Sequence, residues 1–218
     1  MYKNTLLNND GINLEVIHNQ NSEASSHILF LVGLDEDTVV YQALAMELEN
    51  SYCVVARLRG SGNSDSPKEN YKAFDYANDI NFIYLNLKIK EPIIVMSGLS
   101  SVYCLKFLLD FDIKTRGLIF INCGASSVPL SLDWLEKFKK RPRSFLSLTA
   151  ANGLSKDSEF INYYPELFRL KTEIFLLVSP VLYNQDAVYE PSEFERFYDQ
   201  VTVKELPHSE SYICDEDK

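Results

Sequence analysis

Histidine is scarce in this 218-residue sequence, which has only His18, His27 and His208. Any chemistry that needs an imidazole base therefore has few places to find one. Cysteine is nearly as sparse. Cys53, Cys104, Cys123 and Cys214 lie far apart without metal-ligand spacing. The first three fall in apolar segments, where small buried thiols are common, and this usage fits a reducing cytoplasm. No apolar run approaches the roughly eighteen residues of a membrane span. The start, Met1-Tyr2-Lys3-Asn4, leads into Asn and Asp rather than an apolar secretory core, so no secretory signal is expected. Positive charge is also in deficit. There are 21 Lys and Arg against 31 Asp and Glu, a net charge of −10, and such a surface repels nucleic acid and anionic membranes. No internal repeat or low-complexity stretch is evident.

Apolar residues are plentiful, at 46% of the chain, enough for one α/β domain with a sizeable core. Strand-like runs near residues 12–18, 28–33, 52–57, 93–97, 117–123, 173–179 and 200–206 alternate with helical patterns near 38–50, 72–88, 101–111 and 191–199. The alternation predicts a mostly parallel sheet with helices on both faces. Ile12–His18 alternates apolar and polar and reads as a half-exposed antiparallel edge strand. Residues 125–171 interrupt the pattern with Trp134, Phe138, Phe145, Phe160, Tyr163, Tyr164 and Phe168.

One junction carries chemistry. Pro92-Ile93-Ile94-Val95-Met96 reads as a buried strand, and Tyr103–Leu109 has helical spacing. Between them lies Ser97-Gly98-Leu99-Ser100-Ser101-Val102. A serine on a sharp strand-to-helix turn can project its hydroxyl out of the sheet, with backbone N–H groups and the positive helix end behind it. Ser100 is the candidate for that hydroxyl, and Gly98 for the side-chain-free crossing.

Two more segments extend the pattern. His27–Leu34 is a strand ending in a glycine turn, and Arg57-Leu58-Arg59-Gly60-Ser61-Gly62-Asn63-Ser64-Asp65-Ser66-Pro67 follows the strand 52–57. With the turn at Ser100, these residues resemble the α/β-hydrolase family, from about residue 10 to the end and most clearly over 28–123. That family shows a His-Gly turn, a D-x-R-G-x-G-x-S-D-x-P loop and then G-x-S-x-G. Three positions depart from it. Val32 stands for the histidine, Arg57 for the first aspartate, and Val102 with Tyr103 for the small residue beyond the nucleophile. Overpacking at such a crossing costs about 1–3 kcal/mol.

The resemblance implies a single domain, 1–218, with a cap insertion at about 125–171 whose aromatics either line an acyl pocket or pack the cap onto the body. It implies Ser100 as nucleophile and His208, after the last strand, as base. Asp186 is the implied acid, with Glu190 as its competitor. The oxyanion donors would be the N–H groups of Leu34 and Ser101. Asp35-Glu36-Asp37 either faces this site or starts the next helix. Arg59 and Asp65 are candidates to brace their loop as an ion pair, and Arg57 either braces it too or reaches a substrate carboxylate. Lys137–Arg143 is either a solvated helix end or a contact for an anionic substrate or acidic carrier. No cofactor or metal is implied. The expected function is a cytoplasmic serine hydrolase of a small acyl ester or thioester. The alternative is an inactive relative that binds a ligand or partner, and a C–C bond hydrolase or lyase is a weaker third.

Overall fold

The computed structural model describes residues 2–178 and 191–205. Its first two strands, β1 (Lys3–Asn9) and β2 (Ile12–His18), form a hairpin through Asp10-Gly11, both with positive φ. Six more strands complete the main sheet: β3 (His27–Leu31), β4 (Tyr52–Ala56), β5 (Ile93–Ser97), β6 (Gly117–Ile121), β9 (Ile174–Val178) and β10 (Val201–Glu205). Their order is β1-β2-β4-β3-β5-β6-β9-β10, parallel from β4 through β10. Helices α1 (Val39–Glu47), α2 (Ala73–Asn86), α3 (Ser100–Asp110) and α6 (Pro191–Phe197) join them. A mostly parallel sheet with helices on both faces is therefore present.

Period-2 alternation explains the two layers. Leu29 and Leu31 of β3, with Val54 and Ala56 of β4, enter one cluster with the α2 and α3 residues Tyr76, Ile80, Leu105 and Phe107. Ile28 and Phe30, with Cys53 and Val55, turn to the other face and pack on Tyr41 and Ala45 of α1.

β2 corrects an expectation. It lies second in the sheet, because β1, too polar to stand out as a strand, covers its edge. Residues 14–17 are all buried, Glu15 included. That carboxylate survives burial because Asn4 and Asn63 donate to Oε1 at 2.9 and 2.8 Å and Arg57 stands 3.6 Å away. The expected Arg59–Asp65 pair is also replaced. Arg59 grips Asp79 of α2 at 2.6 and 2.7 Å, while Asp65 takes the Asn13 N–H at 2.8 Å. Asp79 is 0 % exposed, and the two-pronged guanidinium, with Asn9 Nδ2 donating to Oδ1 at 3.0 Å, satisfies it there.

Between β6 and β9 lie β7 (Ser126–Ser127), α4 (Leu132–Phe138), α5 (Leu148–Asp157), β8 (Ile161–Asn162) and a 3₁₀ turn, Tyr164–Arg169. β7 and β8 pair with each other, outside the main sheet. Among the described residues no helix is long and apolar enough to cross a membrane.

Candidate functional site

β5 ends at Ser97 and α3 begins at Ser100, so the chain must reverse within two residues. Gly98 makes that reversal. Its φ of +53° is a left-handed conformation that side-chain-bearing residues rarely adopt. It is exposed to solvent, whereas Ser100 is 0 % exposed. Ser100 is the first residue of the helix, and its hydroxyl donates to the Val32 carbonyl at 2.7 Å. The bend lies two residues before Ser100, the residue expected to occupy it. The bend residue is Gly98, and it has no side chain. Ser100 instead fills the small-residue position at the strand–helix crossing, tying α3 to the end of β3. Val102, expected to crowd that crossing, sits in the core at 1 % exposure.

The same shift moves the other assignments. Ser101 donates its hydroxyl to the Gly98 and Gly124 carbonyls at 2.9 and 2.7 Å, and its backbone N–H points back to the Gly98 carbonyl at 3.3 Å. The N–H that follows the bend residue, where an oxyanion would be met, belongs to Leu99. Leu34 is buried just beyond Gly33. Asp186, Glu190 and His208 lie outside the described residues.

Glu36 occupies the mouth of the bend. A β-carbon on Gly33 would strike its Oε1 at 2.5 Å, and one on Gly98 would lie 3.9 Å from the same atom. Glu36 Oε2 accepts from the hydroxyls of Tyr41 and Ser97, each at 2.7 Å. Ser97 Oγ in turn accepts the Gly33 N–H at 3.0 Å. Burial, reinforced by the Glu36 charge, pushes the Tyr41 phenol far above its ordinary pKa, so it stays a donor. A carboxylate over the bend, with a neighbouring N–H already engaged, disfavours negative charge on a ligand oxygen there. Sequence reading missed Glu36, Ser97 and Tyr41 as a unit. The available signal was Gly98 itself, the first glycine after the strand.

The acidic run therefore does more than start a helix. Asp37 bonds the Val39 N–H at 3.2 Å, but Asp35 holds a strap from the segment after α4. Its Oδ1 accepts from Ser144 Oγ at 2.5 Å and the N–H groups of Phe145 and Leu146 at 2.8 and 3.2 Å, and Oδ2 takes Arg141 at 2.6 Å. Backbone bonds from Gly62 to Phe145 and from Ser147 to Gly60, both 2.8 Å, fasten the strap to the β4–α2 loop. Phe145 lies 4.9 Å over the Arg57 guanidinium, which is buried against Glu15 and Ser61. Within the basic run, Lys137 pairs with Asp133 at 2.9 Å and Lys139 with Glu136 at 2.7 Å.

The aromatics of this segment divide. Trp134 stacks on Phe138, whereas Phe160 and Phe168 are 67 % and 63 % exposed. A void lined by Tyr71, Leu99, Tyr103, Leu130 and Ile161 holds about 10 Å³, room for one water. Among the described residues no group of three His, Cys, Asp or Glu is placed to hold a metal ion.

No family model and no curated protein matches the chain. Solved structures do. An E-2-(acetamidomethylene)succinate hydrolase superposes with a TM-score of 0.70 at 16% identity, covering 98% of this chain and 93% of that one. An enol-lactonase from Burkholderia xenovorans gives 0.72 at 14%, covering 93% and 91%. A hydrolase from Pseudomonas aeruginosa gives 0.74 at 12%, covering 94% and 90%.

Proposed function

The chain has the α/β-hydrolase fold, and we propose that within it this protein binds a ligand or partner without cleaving it through a serine. One observation carries the reading. The residue at the strand–helix bend is Gly98, so no hydroxyl stands where this fold raises its nucleophile. Covalent acyl transfer needs an atom there to attack the carbonyl and a donor pair to receive the oxyanion. Glu36 Oε1 faces that space instead, and the nearby Gly33 N–H is given to Ser97. The site suits a ligand that brings a hydrogen-bond donor or positive charge to Glu36.

The rival is hydrolysis of a small ester or thioester by Ser100 with His208 and Asp186. It draws on the structural neighbours, which are described as hydrolases and a lactonase. It requires the Ser100 hydroxyl to leave Val32 and turn out of a fully buried position. A fluorophosphonate probe separates the two. The folded protein is expected to remain unlabelled and to leave p-nitrophenyl esters uncleaved. Stoichiometric labelling mapped to Ser100, and lost in Ser100→Ala, would overturn the binding reading in favour of the rival.

A further inference from the structure

A second cavity lies at the opposite end of the sheet from Gly98. The loop before β3, the C-terminal part of α2, the 87–92 connection and the turn before β6 surround a cleft of about 510 Å³. That volume is in the range that holds a small organic ligand. Ile89 and Tyr84 supply an apolar and aromatic wall, and Lys90 and Arg116 bring two cations. The frame around the cations is built. Arg116 Nη1 donates to the Ser25 carbonyl at 2.9 Å, and the Arg116 N–H donates to the Pro92 carbonyl at 3.1 Å. His27, 3 % exposed, accepts the Lys90 N–H on Nδ1 at 3.1 Å and packs edge-on against Tyr52. Lys90 is therefore held at its backbone, and Arg116 at its backbone and one guanidinium nitrogen, while both residues stay exposed at the cleft.

The charge balance is local. The molecule carries a net −10, yet the cleft lining has two cations against one carboxylate, Glu91, with Glu23 acting on His27 from nearby. Of the other charges on the same two connections, Lys88 and Lys114 outnumber the single carboxylate, Asp112. In a strongly acidic protein such a focus is a place for a small anion to settle.

We propose that this cleft is a binding site for a small molecule joining an aromatic body to an anionic head, the head held between Lys90 and Arg116 and the body on Tyr84 and Ile89. It is separate from the Gly98 bend and stands whether or not that bend is silent. Phenyl phosphate is the probe, with benzyl alcohol as its neutral counterpart. Calorimetric titration of the full chain should show one saturable site for phenyl phosphate, weakened by added salt, and none for benzyl alcohol. The Lys90→Gln/Arg116→Gln double variant should lose at least about tenfold in affinity, while Lys156→Gln, an exposed cation on α5, should bind as the parent does. Both sets of substitutions are at exposed side chains, and circular dichroism checks that the fold is kept. Absence of saturable binding, or equal affinity in the double variant, would overturn the proposal. Inorganic phosphate binding as tightly as phenyl phosphate would overturn the aromatic part of it.

Discussion

At the carboxyl ends of β3, β4 and β5 the connecting segments are laced together. Asp35 gathers four donors from the strap, Arg59 clamps Asp79, and Glu36 lies over a bend without a side chain. At the amino ends of β3, β5 and β6 a buried histidine and two bonds from Arg116 to carbonyls frame an open cleft of about 510 Å³. The contrast has a physical origin. The carboxyl ends are where a parallel α/β sheet ordinarily receives ligands, and here most of their polar groups are bonded to one another, with Glu36 Oε1 left facing the bend. A group already hydrogen-bonded inside the protein has little left for a ligand. The amino end keeps Lys90 and Arg116 exposed, with one guanidinium nitrogen bonded to the Ser25 carbonyl.

The contrast is tested most severely through Arg59. Arg59→Met leaves the buried Asp79 carboxylate with the Asn9 amide but without its cation, and a loss of about 3–5 kcal/mol is expected in urea unfolding. A loss below about 1 kcal/mol would mean that this end is less tightly tied than its geometry indicates. Next comes Ser100→Ala, expected to cost about 1–3 kcal/mol because the buried Val32 carbonyl loses its donor. Its reactivity toward fluorophosphonate should stay at the parent's background.

Asp35→Asn acts more locally. Tryptic cleavage within residues 137–143 should accelerate about tenfold, since losing the charged hub removes on the order of 1.4 kcal/mol from strap closure. An unchanged cleavage rate would show that the backbone bonds to Gly60 and Gly62 suffice. The smallest effect belongs to the amino end. Burial, with the charges of Lys90 and Arg116, holds the His27 pKa below its ordinary 6.5. The unfolded chain then binds the proton more readily than the folded one, so this contribution is intact above about pH 6.5 and is lost as pH falls below it. The urea midpoint should drop between about pH 7.5 and pH 5.5, and the drop should shrink in His27→Gln. An equal drop in both proteins would assign it to other groups.

Much of this was legible from pattern. Runs such as Ile28–Leu31 and Tyr52–Ala56 are apolar throughout because helices cover both faces, and the crossover helices follow from periodicity. β1 was not legible, since Lys3–Asn9 is a polar edge whose reason to be a strand is its pairing with β2. The bend falls at Gly98, two residues before the Ser100 expected to occupy it. Both Gly98 and Ser100 fit a strand–turn–helix junction in sequence, and only backbone φ distinguishes the residue that bends from the one that begins the helix.

By itself the sequence determined the layered parallel architecture, because hydrophobic period and turn chemistry act between near neighbours. It also determined the acidic surface. Tertiary structure alone decided which carboxylates face which donors: Glu36 to Ser97 and Tyr41, Asp35 to the strap, Asp79 to Arg59. Those partners are brought together by how strands and helices stack, and charge type carries no address along the chain.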